Sequence, residues 1–255
     1  MSRAMVVGGA SGIGLATARA LDAEGMQVTI ADVNFDAAQS AADGLGDTVS
    51  AVAMDITDED SVAAGFAGMD DLTTVVSCPG LTIPGAITEL AFDDWQKTVN
   101  VCLNGTFLVL KHAGRSIRDG GSITVISSLN GRQPGTGMGA YCASKAGATM
   151  LVEVAALELA PRRIRVNAIQ PGRVETPMTA SSDLVPGLVE QFLDNTPLGR
   201  AGKPEEIADV AIFLASGKAS WITGATFDIN GGAHLQRYPD MLALLRPFTE
   251  SNLAK

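Results

Sequence analysis

Short runs of consecutive apolar residues alternate along this chain with longer stretches in which apolar residues recur every three or four positions. Runs of four to six apolar residues are typical of strands buried on both faces, and the periodic stretches are typical of helices. The predicted strands cover residues 4–7, 28–31, 49–54, 72–77, 122–127, 165–169 and 226–229. The predicted helices are one that ends at Gly25 and four that cover residues 35–43, 93–117, 140–159 and 204–215.

This order of elements predicts repeated β–α–β units. Such units fold into an α/β domain in which helices cover both faces of one doubly wound parallel sheet. No linker, internal repeat or low-complexity stretch marks a boundary between two domains. We therefore expect residues 1–255 to form a single domain.

Composition and charge narrow the possible functions. The formal net charge of -10 disfavours a nucleic-acid partner, because an acidic surface does not attract phosphates. No run of about 18 apolar residues predicts a membrane span, and no leader pattern is seen, so a cytoplasmic location is expected. Three widely spaced cysteines and two histidines argue against a disulfide framework and against a metal site.

A glycine-rich loop, GGASGIG at 8–14, connects the first predicted strand to the first predicted helix. In this setting glycines allow a sharp turn and a close approach to a pyrophosphate at the helix N-terminus. Asp32 ends the second predicted strand, where a carboxylate binds ribose hydroxyls and repels a 2′-phosphate. The sequence therefore predicts NAD(H) rather than NADP(H). Asp55, at the end of the third strand, is expected to face the adenine.

Tyr141 and Lys145 lie four residues apart near the start of a predicted helix, so both project from one face. An ammonium group about one turn from a phenol favours the phenolate. Together with a positive nicotinamide ring, Lys145 is expected to lower the pKa of Tyr141. A tyrosine with that property can exchange a proton with a substrate oxygen near neutral pH.

With these motifs, the sequence resembles the short-chain dehydrogenase/reductase family from residue 4 to about residue 232. Ser128 precedes Tyr141 by the 13 residues that separate the catalytic serine and tyrosine in that family. Asn100 matches the fourth catalytic position, Pro171-Gly172 with Thr176 matches the segment beside the nicotinamide, and later Thr-Gly and Gly-Gly pairs match the closing strand. The resemblance implies a Rossmann-like fold and hydride transfer between NAD and a secondary alcohol or ketone.

The resemblance also implies a role for each matched residue. Ser128 would bind the substrate oxygen, Tyr141 would be the general acid–base, Lys145 would bind the nicotinamide ribose, and Asn100 would anchor a water in a proton relay. The cofactor is expected to contact Gly8, Ser11, Gly12, Ile13, Gly14, Asp32, Asp55, Ile56, Cys78, Gly80, Tyr141, Lys145, Pro171, Gly172, Val174 and Thr176. The substrate is expected to contact Ser128, Asn130, Tyr141 and Met178.

The sequence departs from the family pattern in three places. Val7 replaces a threonine, Ser77-Cys78-Pro79-Gly80 replaces Asn-Asn-Ala-Gly, and residues 55–80 are shorter than usual by about one helical turn. We expect these changes to alter cofactor affinity or stability but not the type of reaction. Cys78 and Cys142 are interpreted as small buried hydrophobic residues. Arg132 and Gln133 could contact a polar substrate group or simply belong to a loop.

Two further segments concern the substrate and assembly. Residues 178–198 carry an apolar stripe that fits a substrate lid or a helix packed on its own domain. Residues 233–255 extend past the usual end of the family, and their apolar residues, which include Met241 and Phe248, need a surface to cover them. We expect this extension to pack on a neighbouring subunit or near the pocket mouth. The helix at 140–159 has the composition of an interface, so a homotetramer, or a dimer, is expected.

Two other functions stay open. An NADPH-dependent 3-oxoacyl-thioester reductase would share the fold, although Asp32 argues against NADPH. A nucleotide-sensing binding protein would need the glycine loop but not the four catalytic residues together.

Overall fold

The computed structural model describes residues 2–69 and 71–253, with side chains up to residue 247. Seven parallel strands form one sheet in the order β3-β2-β1-β4-β5-β6-β7. They are β1 (Arg3–Val7), β2 (Gln27–Asp32), β3 (Val49–Ala53), β4 (Leu72–Ser77), β5 (Ile117–Ile126), β6 (Arg165–Pro171) and β7 (Thr226–Ile229). The predicted α/β class and doubly wound parallel sheet are confirmed.

Helices connect these strands, and one more helix follows the last strand. They are α1 (Gly12–Ala23), α2 (Phe35–Leu45), α3 (Glu59–Phe66), α4 (Phe92–Val99), α5 (Gly105–Ser116), α6 (Gly139–Leu159), α7 (Pro177–Ala180), α8 (Leu188–Asp194), α9 (Pro204–Ala215) and α10 (Met241–Leu253). The third crossover helix, α3, has only eight residues, in keeping with the short segment between β3 and β4. No helix within the described part of the chain has the length and apolarity needed to cross a bilayer.

Two apolar clusters hold the helices against the sheet. On one face, buried residues of α1, α2 and α9, among them Leu21, Ala42 and Leu214, pack on the strands. On the other face, α3, α5 and α6 do the same, for example through Phe66 and Val152. Both faces of the central strands are therefore buried, which explains why their sequences are apolar at consecutive positions instead of alternating positions.

The predicted helix at 93–117 is wrong in detail. A π-helical turn, Asn100–Asn104, separates α4 from α5, and Ile117 already belongs to β5. Each π turn adds a residue to the α-helical turn, and such turns are frequent at functional sites. The extra residue rotates the side chains that follow it about the helix axis, by about 100° for each residue inserted.

The order of the strands reverses at β1, whose neighbours are β2 on one side and β4 on the other. Connections leave β1 and β4 toward opposite faces, which opens a crevice beyond the carboxyl ends of these strands. Asp32, Ser77, Ile126 and Pro171 all end their strands at this edge. The fold therefore brings together segments that lie up to about 140 positions apart in the sequence.

The extension after β7 packs on its own subunit beside this crevice. Met241 of α10 is buried against Leu188 of α8 and Met138, with Phe192 and Tyr238 at the edge of the same cluster. Of the two locations expected for this extension, the structure shows the one near the pocket. The side chain of Phe248 lies outside the described residues.

Candidate active site

A cavity of about 760 Å³ occupies the carboxyl edge of the sheet. Its walls come from the glycine loop, the ends of β2 to β6, the start of α6, the segment with α7 and α8, and the C-terminal extension. All predicted cofactor and substrate residues line it, namely Gly8, Ser11, Gly12, Ile13, Gly14, Asp32, Asp55, Ile56, Cys78, Gly80, Ser128, Asn130, Tyr141, Lys145, Pro171, Gly172, Val174, Thr176 and Met178.

The glycine loop has a geometry that only glycine permits. A Cβ atom on Gly14 would lie 2.1 Å from the Gly8 carbonyl oxygen, so α1 can approach β1 only with glycine there. Gly12 has a φ of 51°, in the left-handed region that disfavours other residues. The backbone of this loop and the N-terminus of α1 are therefore free to approach a pyrophosphate, as a dinucleotide cofactor requires.

Two carboxylates lie where the adenosine half of such a cofactor would bind. Asp32 Oδ2 accepts a hydrogen bond from the Ala10 N–H at 3.1 Å, which ties the end of β2 to the glycine loop. Asp55 Oδ1 accepts bonds from the Thr57 N–H and hydroxyl at 2.8 and 2.7 Å. Both side chains are thus held in place by local backbone while they line the cavity.

The unusual segment after β4 packs directly on the glycine loop. The Cys78 N–H donates to the Val7 carbonyl at 2.8 Å and continues the pairing of β4 with β1. A Cβ on Gly8 would lie 3.0 Å from the Pro79 nitrogen, so the proline fills the space beside the first loop glycine. Pro79 has no N–H, but its carbonyl accepts a bond from Lys145 Nζ at 3.4 Å. The altered motif therefore still contributes to the site through its backbone.

Ser128, Tyr141 and Lys145 meet at the centre of the cavity. Ser128 follows β5, and its hydroxyl accepts a bond from the Asn130 N–H at 3.1 Å and interacts with the Tyr141 phenol. The Lys145 ammonium is buried and donates to the Ile126 carbonyl at 2.9 Å. It lies 5.7 Å from the centre of the Tyr141 ring. The structure thus brings three of the four predicted catalytic residues together.

In the protein without a bound cofactor, burial has the largest effect on the pKa values of Tyr141 and Lys145. It raises the pKa of the Tyr141 phenol, and the hydrogen bond from Ser128 opposes this only in part. Burial also lowers the pKa of Lys145. In the protein without a cofactor, the expectation that Lys145 lowers the pKa of Tyr141 is therefore not met. Removing the phenolate from water destabilises it more than the neighbouring groups stabilise it.

Asn100 does not reach the site. Its side chain is exposed and accepts a bond from Asn104 Nδ2 at 2.8 Å, and it is absent from the described residues that line the cavity. Cys102 lies on the inner side of the same π turn. It is fully buried, its sulfur bonds both the N–H and the carbonyl of Leu81 at 3.3 and 3.2 Å, and it interacts electrostatically with Tyr141 and Lys145. The relay role expected for Asn100 is not supported.

Arg132 and Gln133 differ in where their side chains lie. Arg132 forms an ion pair with Asp228 and does not line the cavity among the residues described, whereas Gln133 does. Arg173 and Tyr238 are among the further lining residues that the sequence reasoning missed. Arg173 donates to Ser182 at 2.6 Å, pairs with Asp183 and stacks on Phe192, so it anchors the segment of α7 and α8. The one sequence feature that could have drawn attention to Tyr238 is the rarity of tyrosine, since the chain has only two.

The predicted stripe at 178–198 spans the short helices α7 and α8, with a 3₁₀-helical turn at Ser181–Leu184 between them. Val185 and Leu188 are buried against the extension, Leu184 is exposed, and Met178 lines the cavity. This segment therefore forms one wall of the cavity and packs on its own subunit. Within the described range, no cluster of His, Cys, Asp and Glu side chains has the arrangement of a metal site.

Comparisons with known proteins agree with this geometry. Residues 8–234 match the family model described as enoyl-(acyl carrier protein) reductase. The chain is 37% identical over 238 residues to 2,5-dichloro-2,5-cyclohexadiene-1,4-diol dehydrogenase of Sphingobium indicum, covering 90% of this chain and 94% of that protein. It is 36% identical over 237 residues to the 3-oxoacyl-[acyl-carrier-protein] reductase of Thermotoga maritima, covering 89% and 96%.

A solved structure shows the same overall architecture. A short-chain type dehydrogenase/reductase from Mycobacterium ulcerans superimposes with a TM-score of 0.92 at 36% sequence identity. The match covers 96% of this chain and 94% of that one.

Proposed function

The chain belongs to the short-chain dehydrogenase/reductase family, and from this we propose that it interconverts a secondary alcohol and a ketone with NAD(H). The observation that carries the proposal is the convergence of Ser128 and Tyr141 beside Lys145, in the same cavity as the glycine loop. A bound nicotinamide would accept or supply the hydride, which none of the protein's own side chains can do.

The protein's side chains bind the reacting oxygen and move its proton. Ser128 and Tyr141 line the same cavity, and in this proposal both bind one substrate oxygen, with Ser128 donating a hydrogen bond to it. Tyr141 takes the hydroxyl proton in the oxidative direction and returns it in the reductive direction. Lys145 is held by the Ile126 carbonyl with its ammonium facing the crevice, where it would bind ribose hydroxyls. Its charge, together with that of an oxidised nicotinamide, would favour the phenolate that burial disfavours.

Asp32 supports NAD(H) as the cofactor. Its carboxylate ends β2 beside the glycine loop, where it can accept bonds from two ribose hydroxyls. A 2′-phosphate at that place would face a fixed negative charge. Val33, the next residue, is exposed and apolar and offers no cation to such a phosphate.

The cavity supports a compact and largely apolar substrate. Beyond the catalytic residues its lining includes Met178, Val185, Leu188, Phe192 and Met241. The relative from Sphingobium indicum is a dehydrogenase of a cyclohexadiene diol. We infer that the substrate is a ring-bearing secondary alcohol without a strong charge.

A 3-oxoacyl-thioester reductase is the second candidate, since one relative and the matching family model carry acyl carrier protein names. This second candidate would use NADPH, and the Asp32 carboxylate disfavours NADPH. A nucleotide-sensing binding protein is disfavoured because it does not need Ser128, Tyr141 and Lys145 to converge.

One assay separates these functions. NADH production is followed at 340 nm with a panel of cyclic and linear secondary alcohols, and NADH and NADPH oxidation is followed with a 3-oxoacyl thioester. We expect turnover of a cyclic alcohol with NAD⁺. Turnover of the thioester with NADPH alone would favour the second candidate, and cofactor binding without any turnover would favour the third.

Assembly and location are part of the same proposal. Phe107 of α5 and Met150, Val154 and Leu157 of α6 are exposed apolar side chains, and the last three form one stripe along the helix. We propose that this stripe pairs with its copy in a homotetramer, or in a dimer, and that the protein is cytoplasmic. Light scattering at several concentrations measures the mass of the assembly.

A further inference from the structure

Behind the cavity, a network of polar side chains joins the end of β5 to α6 and β6. Thr149, one turn after Lys145 on α6, donates its hydroxyl proton to the Lys145 carbonyl at 2.9 Å. Its oxygen lies 3.1 Å from the Ser127 hydroxyl and accepts a bond from Gln170 Nε2 of β6 at 3.3 Å. Three elements therefore meet at one hydroxyl group. Neither Thr149 nor Gln170 is among the described residues that line the cavity.

This network holds the backbone of Lys145, while an adjacent carbonyl holds its side chain. The Ser127 hydroxyl also donates to the Lys145 carbonyl, at 3.1 Å. The Lys145 ammonium donates to the carbonyl of Ile126, the residue before Ser127, at 2.9 Å. Two consecutive residues at the end of β5 thus bind both ends of Lys145. The position of its ammonium therefore depends on how α6 is held against that strand.

Gln170 contributes an unpaired polar atom to the interior. The residue is only 2% exposed, and its Oε1 has no hydrogen-bond partner within the described part of the chain. A buried acceptor without a partner destabilises the fold, and an apolar side chain of similar size would avoid it. The amide nitrogen can only donate, so the Thr149 oxygen accepts its bond and the Thr149 proton is left for the Lys145 carbonyl. What Gln170 supplies is therefore the direction of the Thr149 hydrogen bond.

The loop that carries Ser128 packs on the same network. A Cβ on Gly131 would lie 2.9 Å from Gln170 Nε2 and 3.1 Å from the Lys145 carbonyl oxygen. The Gly131 N–H in turn donates to the Ser128 carbonyl at 2.8 Å. The network therefore contacts both the loop of the catalytic serine and the helix of the catalytic lysine.

We propose that Thr149 is a positioning residue, which holds the backbone of Lys145 so that its ammonium faces the cofactor ribose and the Tyr141 phenol. Gln170 directs the Thr149 hydroxyl toward that backbone. This inference rests on the proposed function, in which Lys145 binds the ribose. Thr149 needs no contact with cofactor or substrate, because a small displacement of the ammonium weakens both of its interactions.

Variants that separate position from stability test the proposal. Thr149→Val keeps the shape of the side chain but leaves the Gln170 amide without its partner, so we expect a lower Tm. Adding Gln170→Met removes that amide and should bring the Tm back to within about 2 °C of the wild type. In both variants we expect the NADH Kd to rise about fivefold and kcat at pH 7 to fall about tenfold. Recovery of the NADH Kd together with the Tm would overturn the proposal, since the network would then serve stability alone.

A double-mutant cycle tests whether Thr149 acts through Lys145. In Lys145→Met the ammonium is absent, so adding Thr149→Val should change the NADH Kd by less than about twofold. Protein-to-NADH energy transfer measures the Kd of all four proteins of the cycle. A further fivefold rise in the Lys145→Met background, on the scale of about fivefold expected in the wild type, would show an effect that bypasses Lys145 and would overturn the proposal.

Ser144→Ala is the matched control on the same helix. The Ser144 hydroxyl is fully buried and bonds the Ala140 carbonyl at 2.7 Å, four residues earlier, as Thr149 bonds Lys145. Among the described residues it has no side-chain partner on another element. We expect the NADH Kd and kcat of this variant to stay within about twofold of the wild type. Losses equal to those of Thr149→Val would show that any hydroxyl lost from α6 has this effect, and the proposal would fail.

The pH profile of kcat is a readout that a merely structural role would not move. In the oxidative direction Tyr141 acts as a base, and a displaced Lys145 ammonium makes its phenol harder to deprotonate. In Thr149→Val with Gln170→Met we expect the apparent pKa of kcat to be about one pH unit higher, so kcat is about tenfold lower below that pKa and approaches the wild type above it. The same loss at every pH would overturn the proposal.

The series also distinguishes this inference from the proposed function. If the wild type binds NADH but turns over no alcohol, the proposed chemistry fails and the NADH Kd values alone decide on Thr149. A wild type that does not bind NADH would overturn both.

Discussion

The Asp32 carboxylate accepts a hydrogen bond from the backbone N–H of Ala10 at 3.1 Å. This bond joins the residue that would bind the adenosine ribose to the loop that would bind the pyrophosphate. A second bond, from the Asn34 N–H at 3.1 Å, occupies the other carboxylate oxygen. The charge of Asp32 is therefore fixed in direction before any cofactor binds, which is the condition for it to discriminate against a 2′-phosphate.

Replacing Asp32 should change the cofactor preference. In Asp32→Ala we expect the ratio of kcat/KM for NADP⁺ to that for NAD⁺ to rise by at least about tenfold, because a fixed repulsive charge is removed. Asp36→Ala, which removes an exposed carboxylate at the start of α2, should leave the ratio within about twofold. Steady-state kinetics with both cofactors measure the ratio. A wild type that prefers NADP⁺ would contradict the assignment.

Removing the Tyr141 hydroxyl should abolish the chemistry and spare binding. In Tyr141→Phe we expect kcat to fall by about a thousandfold, because the substitution removes the group that takes the proton. The NADH Kd, measured by protein-to-NADH energy transfer, should stay within about twofold of the wild type. A kcat near that of the wild type would show that Tyr141 is not the acid–base.

Substitutions of Asn100 and Cys102 should differ in their effect on thermal stability. Asn100→Ala removes an exposed side chain, so we expect kcat/KM within about twofold and a Tm within about 1 °C of the wild type. Cys102→Ala leaves the Leu81 N–H and carbonyl without their partner, which costs about 1–3 kcal/mol and lowers the Tm by several degrees. Calorimetry of the cofactor-free proteins measures the Tm of both variants. A larger loss of activity in Asn100→Ala than in Cys102→Ala would restore Asn100 to the site.

Cys78 should resist alkylation near neutral pH. Burial raises the pKa of its thiol to about 12, and the nearby Lys145 ammonium opposes this only in part. The nucleophilic thiolate is therefore scarce at pH 8 and increases as the pH approaches 12. Mass spectrometry after iodoacetamide treatment should show little modification of Cys78 in the native protein and complete modification in urea. Rapid native modification at pH 8 would contradict the shift.

The raised pKa of Cys78 also predicts how the stability of the folded state changes with pH. Between the ordinary value of 9.0 and about 12, the folded state keeps the Cys78 proton while the unfolded state loses it. The folded state then binds more protons, so stability falls as the pH rises through this range. In Cys78→Ala the free energy of unfolding, measured by urea denaturation at pH 8 and pH 10, should decrease less than in the wild type.

The sequence alone determined what depends on local periodicity and spacing. Buried parallel strands require consecutive apolar residues, the close approach of α1 to β1 requires Gly14, and the spacing of Tyr141 and Lys145 is one helical turn. These constraints act within a few residues, so they are visible in the chain itself. They predicted the fold class, the glycine loop and the pair of Tyr141 and Lys145.

Only the tertiary structure decided which side chains face the cavity from irregular segments. The π turn rotates the helix so that Cys102 points inward and Asn100 does not. The spacing of apolar residues in the sequence does not indicate that a residue has been inserted into a helical turn. Tyr238 packs against Gly135 across 103 positions of the chain, because the extension folds back over α8 and the loop before α6. Contacts of that kind arise from how whole elements pack, and a distance along the sequence carries no information about them.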